Sequence, residues 1–426
     1  MQRSWVAGAN EPSGDFPLAN LPYGVFAVAG RPARCGVAIG TMVVDLAALA
    51  RAGLLGAGAE TLGFERAAIN RFMAAGPEAW SRIRARLTEL LAEEGAPDLR
   101  NDAELRERAV LPMAGVSMQM PFRVAGYTDF YAGRQHAFNS GSILRGPQNA
   151  LPPNWPHMPI GYNGRASTVV VSGTPVRRPL GQTRPEGAAA PRFGPTERLD
   201  IEVELGAVVG LPTGSGETLT VAEAWEHLFG FVLLNDWSAR DIQRWEGQPL
   251  GPFQSKAFAT SISPWVVTRA ALEPFRTGAP GREVPLLPYL DAPGDYFFDL
   301  TLEAHLTPAG GKTSRIVRTR TTDLYFSAPQ LLAHHALCGC RMETGDLLGS
   351  GTISGQDRGS FGSLMEQTWG GRDEVVLENG GSRRFLEDGD TVTLTGWGEA
   401  DGGRVGFGSC AGQILPAPDR VGRGAG

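Results

Sequence analysis

Lysine is almost missing from this chain. Of its 39 basic residues only Lys256 and Lys312 are lysine, and the other 37 are arginine. A sequence that writes nearly every cation as arginine has kept an ammonium at two places. Lys312, in AGGKTS, reads as a loop residue; Lys256 sits among chemically loaded motifs. Cysteine is scarce as well. Four cysteines, two of them in Cys338-Gly339-Cys340, are too few for a disulfide framework, which excludes a stapled secreted scaffold. No stretch approaches the roughly 18 apolar residues of a membrane helix, and the opening MQRSWVAGANEPSGDF has no apolar signal-peptide core. Positive charge is not in excess: a net charge of −6 argues against nucleic acid or an anionic membrane as partner. These absences leave a reduced, cytoplasmic, enzyme-sized protein as the expectation.

Glycine (57) and proline (31) are abundant without any collagen-like period. Such a chain makes many tight turns and short strands, so a mostly β, α+β architecture is expected, and 426 residues allow two domains. Residues 20–46 read as short strands. A helix follows after Pro77, with Trp80, Ile83, Leu87, Leu90 and Leu91 on one stripe and Gly95 as its stop. A boundary near residue 118 divides an N-terminal unit (1–118) from a larger, mostly stranded unit (119–426). Short helices are expected around 222–228, 238–246 and 328–337, and a Pro/Gly loop over 173–198.

LDIEVELGAVV, residues 199–209, places Leu199, Ile201, Val203 and Leu205 on one face of a strand and Asp200, Glu202 and Glu204 on the other. Taken alone it reads first as a half-exposed strand with a solvated acidic face. The second reading is a pair of carboxylates whose repulsion is relieved by a proton or a cation. Other acids and bases must converge on them for that reading to hold.

Candidates exist. YTDFYAGRQH offers Asp129 as a metal carboxylate, His136 as a general base and Tyr131 as a hydroxyl donor. GFVLLNDWSARDIQRWE reads as a buried strand ending at Asp236; continued as a helix, it would set Arg240 and Gln243 on Asp236's side. Lys256 and Thr260 follow before another apolar strand. Other motifs fail on physical grounds. GSGTISGQDRGSFG lacks the Gly-Lys-Ser/Thr ending of a phosphate loop, and GFGSCA runs into a strand rather than opening a helix. His334 and His335 with Cys338 and Cys340 have no zinc-site spacing and are expected to be packing or helix-end residues.

Taken together, YTDFYAGRQH, LDIEVEL, NDWSARDIQRWE and SGTISG resemble the fumarylacetoacetase (fumarylacetoacetate hydrolase) family, as do PYGVFAV, PNWPHMPIGYNGRASTVVVSGTPVRRP and GFGSCAGQILPA. The resemblance spans nearly the whole chain. It implies a small N-terminal SH3-like β-barrel domain, a larger mixed β-roll catalytic domain and a homodimer. It also implies roles. Asp129, Glu202, Glu204 and Asp236 match divalent-cation ligands, with Lys256 and Thr260 completing the cation site. His136 matches the catalytic base and Glu366 the carboxylate that orients it. Arg240, Gln243 and Lys256 match donors to developing negative charge, and Tyr131, Arg145, Tyr162, Gln243 and Thr352 match substrate contacts. Gly247 stands where the family usually carries a tyrosine, Asn163 where it carries a histidine, and Gln254-Ser255 where it carries a small pair.

The reaction implied is hydrolysis of the carbon–carbon bond of 4-fumarylacetoacetate to fumarate and acetoacetate, the last step of tyrosine and phenylalanine breakdown. An all-oxygen ligand set suits Mg²⁺ or Ca²⁺ rather than zinc. Two alternatives remain at this level: an acylpyruvate hydrolase or oxo-acid decarboxylase of the same superfamily, or a non-catalytic, cation-dependent binding protein.

Overall fold

Leu228–Asp236 is buried at every position, and from Phe231 on, past a bulge that puts Phe229 out of phase, its side chains divide by the period of two that strands impose. Phe231 and Leu233 enter one apolar core, while Phe229, Val232 and Leu234 enter another. A strand covered on both faces reads as a continuous hydrophobic run, which is how FVLL appears in the sequence. This strand lies at the centre of the computed structural model, which describes residues 2–419 except 292, 379, 401 and 402.

The main sheet has 13 strands. From one edge its order is Val110–Pro112, Met42–Asp45, Arg34–Ile39, Tyr23–Ala27, Trp265–Thr268, Leu228–Asp236, Val203–Val209, Leu347–Gly349, Tyr127–Phe130 and Gly161–Asn163. The short strand Thr260–Ile262 also pairs with Leu228–Asp236, through Asp236↔Thr260. A second, five-stranded sheet carries the long strands Thr391–Ala400 and Gly403–Leu415. The core between the sheets joins Leu205, Ala207, Phe231 and Leu233 to Leu302, Ala304, Leu394 and Phe407. On the other face of the main sheet lies the helix Gly76–Leu91, with Pro77 in its first turn. Its stripe of Trp80, Ile83, Leu87, Leu90 and Leu91 is buried against Tyr23, Phe72 and Phe229. Each such side chain contributes about 1.5–3 kcal/mol by leaving water, so a polar residue at Ile83 would break this layer.

The expected mostly β, α+β class is what the structure has. Its N-terminal strands run on into the main sheet through Tyr23↔Val266 and Gly24↔Trp265, and no closed barrel is found among the described residues. Other differences are local. The segment 173–198 is not a plain loop: Leu180–Thr183 and Arg192–Pro195 pair as a hairpin. Ser238–Ala239 is a strand, so the helix expected from 238 starts at Arg240. The expected strand 199–209 is interrupted at Ile201 and Glu202, although Leu199, Ile201, Val203 and Leu205 do share one core. The interruption follows from hydrogen bonding. The Glu202 backbone N–H donates to Asn235 Oδ1 (3.1 Å) and that of Val203 to Gly362 O (3.0 Å). GFGSCA lies inside Gly403–Leu415, as a strand.

Candidate active site

Asp129, Glu204 and Asp236 come from three strands of the main sheet, and Glu202 from the turn that feeds one of them. All four are buried, and one carboxylate oxygen from each lies within 4.8 Å of the others. The register explains the convergence. Gly349 lies between the strands of Asp129 and Glu204, opposite Gly206 and beside Asp129. A Cβ at Gly349 would stand 2.8 Å from Asp129 Oδ1 and 2.9 Å from Glu204 Oε2. The absent side chain is therefore what lets the two carboxylates meet. Gly351, at φ +75°, donates its N–H to Glu204 Oε2 (3.0 Å).

The solvated-face reading of residues 200, 202 and 204 is overturned, because all three are buried. Each is treated differently. Asp200 accepts from Arg240 Nε (2.8 Å) and from the backbone N–H groups of Leu364 (2.7 Å) and Met365 (3.0 Å), which makes it a structural anchor. Burial opposes ionisation of Glu202, but Lys256, Arg240 and His136 outweigh it and bring its pKa down to about 2. For Glu204 and Asp129 the pull of Lys256 is too weak to do the same. Burial, and after it the facing carboxylates, pushes both well above the usual range. Asp129 Oδ1 and Glu204 Oε1 have no hydrogen-bond partner.

Two unpartnered buried carboxylate oxygens within an all-oxygen cluster fit a hard divalent cation. Thr260 supports the cluster from behind, and Lys256 does so from the cavity wall. Lys256 Nζ contacts Glu202 Oε2 and Asp236 Oδ2 (2.9 Å), and Thr260 Oγ1 donates to Asp236 Oδ1 (2.8 Å). Burial disfavours the ammonium, yet Asp236 and Glu202 overcome that and raise its pKa, so Lys256 stays charged. A charged ammonium has no lone pair to offer a metal. Lys256 thus orients ligands and balances charge.

Asp129 and Glu202 of the cluster line a cavity of about 390 Å³, together with Tyr131, His136, Arg145, Tyr162, Arg240, Gln243 and Thr352. His136 opens the helix Arg134–Arg145, and its Nδ1 lies 2.7 Å from Glu366 Oε2. Burial works against the Glu366 charge, but His136, Ser363 and Asn139 more than offset it and lower its pKa. An ionised Glu366 can only accept, so Nδ1 carries a proton; in the neutral ring that leaves the lone pair on Nε2. Arg240 Nη1 reaches Glu202 (2.9 Å) and Gln243 Oε1 (3.1 Å), while its Nη2 is buried without a partner. Thr352 Oγ1 is also unpartnered. Arg145 binds only the carbonyls of Asn149 (3.1 Å) and Ala150 (2.7 Å), and no carboxylate among the described residues. Tyr162 donates to Asp236 Oδ2 (3.1 Å), and the Tyr131 hydroxyl contacts Ala137 O (3.2 Å) and Ser140 Oγ.

Every residue given a catalytic, substrate or cation role in the sequence is therefore at or directly behind one cavity, though one argument for them fails. Asp236 ends a strand, so helical spacing does not align it with Arg240 and Gln243; the strand-to-helix turn does. His334 and His335 are apart from the cluster, against Tyr289 (3.1 Å) and Thr128 (2.9 Å). Sequence reasoning missed Gly349, Gly351, Asp200 and the groups that hold Glu366: Asn139 (3.0 Å), Ser354 (3.0 Å) and Ser363 (2.7 Å). Ser363 does carry a local signal, since it precedes a short helix with Glu366 three residues later.

Comparison with known proteins agrees with this geometry. Residues 126–415 match the family described as fumarylacetoacetate (FAA) hydrolase C-terminal, and residues 19–121 match fumarylacetoacetase N-terminal. The chain is 48% identical to a fumarylacetoacetase of Bos taurus over 95% of this chain and 97% of the relative, and 47% identical to that of Mus musculus with the same coverage. In fold it is similar to a fumarylacetoacetate hydrolase from Exiguobacterium antarcticum, with TM-score 0.53 and 17% identity, covering 93% of this chain and 99% of that one. By these matches and by its cavity, the chain belongs to the fumarylacetoacetate hydrolase family.

Proposed function

We infer that this chain hydrolyses the carbon–carbon bond of 4-fumarylacetoacetate, releasing fumarate and acetoacetate. The observation that carries the reading is the placement of a His136–Glu366 pair, 2.7 Å apart, in the same cavity as the four-carboxylate cluster. Cleaving a β-diketone needs both a water activated by a base and a positive field for the departing carbanion. The degradation of tyrosine and phenylalanine is the pathway setting that follows from the reaction.

Asp129, Glu202, Glu204 and Asp236 would hold Mg²⁺ or Ca²⁺, which would supply Lewis-acid charge to the ketone oxygens and to the departing group. The chain's own groups do the rest. His136 Nε2 takes a proton from the attacking water while Glu366 holds the ring and stabilises the imidazolium. Arg240 Nη2, with Gln243 and Lys256 beside it, faces the charge that develops on the attacked carbonyl; one such donor is commonly worth about 3 kcal/mol of barrier. Arg145, without a carboxylate partner among the described residues, suits a substrate carboxylate, and Tyr131, Tyr162 and Thr352 shape the remaining wall.

We further propose a boundary near residue 118, which the two family matches support by meeting between residues 121 and 126. A homodimer in a reducing, cytoplasmic setting is the accompanying proposal. Four unbridged cysteines are consistent with that setting, and among the described residues no helix is long and apolar enough to cross a membrane. The test is loss of fumarylacetoacetate absorbance by purified protein. Turnover is expected with Mg²⁺ or Ca²⁺ and is lost in EDTA; turnover of a short acylpyruvate but not of fumarylacetoacetate would contradict the reading.

A further inference from the structure

A second cavity, of about 550 Å³, lies where the N-terminal strands and the helix Gly76–Leu91 meet the main sheet. Its walls are aromatic: Tyr23, Trp80, Trp225 and Phe229 all line it, and all are buried. Trp80 meets Phe229 edge-on, with ring centroids 5.1 Å apart at 81°. Phe229 stands near the start of the strand that ends in Asp236, seven residues on, so the cavity is roughly 23 Å from the cation cluster at 3.3 Å per residue.

Among the described residues, one polar group of this cavity lacks a hydrogen-bond partner and another lacks a counter-charge. The Tyr23 hydroxyl is buried and has no hydrogen-bond partner. Burial pushes its pKa well up, against the pull of Arg84, so it can only be a neutral phenol with a proton to donate. Arg84 binds the carbonyls of Asn20 (2.6 Å) and Ala19, and no carboxylate among the described residues. Burial pulls its pKa down, as expected of a guanidinium without a counter-charge. The other arginine of the cavity, Arg269, is already paired with Glu226 (3.1 Å) and lies over Trp225, 4.9 Å from the ring centroid. Among the described residues, Arg84 is thus the one charge of the cavity without a counter-charge.

We propose that this cavity is a binding site for a small aryl carboxylate, distinct from the hydrolytic centre. The carboxylate accepts from Arg84 and from the Tyr23 hydroxyl, and the ring packs on Trp80 and Trp225. A volume of this size suits one or two fused rings. A neutral aromatic would leave Arg84 uncompensated, and an aliphatic acid would forgo the stacking that the aromatic wall offers.

The test is calorimetric titration of the cation-loaded protein with indole-3-acetate, with indole and acetate as controls. One site per chain is expected for indole-3-acetate, with both controls at least about tenfold weaker. Tyr23→Phe keeps the ring and removes only the hydroxyl, and Arg84→Gln removes only the charge. Each is expected to weaken binding about tenfold, the loss of one hydrogen bond to a charged group, while His136→Ala leaves it unchanged. Absence of binding by wild-type protein would overturn the proposal. So would an unchanged affinity in a Tyr23→Phe protein that still hydrolyses substrate, or loss of binding in His136→Ala, which would move the site to the catalytic cavity.

Discussion

The two halves of the catalytic cavity are finished to different degrees. On one side Glu366 accepts hydrogen bonds from His136, Asn139, Ser354 and Ser363, and its charge is fully supported by the protein. On the other, Asp129 and Glu204 each keep a carboxylate oxygen without a partner, and burial among like charges pushes their pKa values up. The dyad is built by the fold alone. The cluster is built for a charge that comes from outside. Among the described residues, half of the ten buried side-chain polar atoms without partners belong to residues around the cluster, namely Tyr127, Asp129, Glu204, Arg240 and Thr352. Buried polar groups are normally satisfied, so their concentration here marks where a ligand completes the structure.

That contrast can be broken from either side. His136→Ala removes the base and should lower kcat by about 10²–10⁴-fold, with cation affinity unchanged, as measured by steady-state hydrolysis and cation titration. Gly349→Ala should act on the other half. The new methyl crowds Asp129 and Glu204, so cation affinity falls first, and hydrolysis should recover as Mg²⁺ or Ca²⁺ is raised. Failure of high cation to rescue this variant would mean that Gly349 does more than make room. Asn139→Ala should have the smallest effect. It removes one hydrogen bond to a charged carboxylate, about 1.5–3 kcal/mol shared between stability and the setting of Glu366. A modest fall in kcat with KM unchanged is expected, and Asn139→Asp, which adds a like charge beside Glu366, should be worse.

The sequence made the acids visible because chemistry requires them, and the fold brings them together by strand register that no local pattern reveals. Glu202 and Glu204 were legible as a pair, yet nothing in LDIEVEL says that Asp200 is bound to Arg240 instead of sharing their role. Lys256 stood out because lysine is so rare here, and it does lie between Glu202 and Asp236. The alignment of Asp236, Arg240 and Gln243 was inferred from a helix that begins only at Arg240, so the right residues were reached by the wrong geometry. Gly349 left no signal, because a glycine needed for the space it leaves looks like any other glycine among 57. The hairpin within residues 173–198 was hidden by proline and glycine, which mark turns more clearly than the short strands between them.

The difference between the halves also sets the pH behaviour. Asp129 and Glu204 have folded-state pKa values raised above their ordinary ones. They therefore favour the cation-free folded state below the ordinary carboxylate range, and that contribution is lost as pH rises toward their folded values. Cation binding must displace their protons, so affinity should fall as pH falls. The most direct measurement is calorimetric titration of EDTA-stripped protein with Mg²⁺ or Ca²⁺ in buffers of different ionisation enthalpy. The expected result is one cation per chain with net proton release, abolished in Glu204→Gln and intact in His136→Ala. Absence of saturable binding, or binding that Glu204→Gln leaves untouched, would contradict the assignment of the cluster as the cation site.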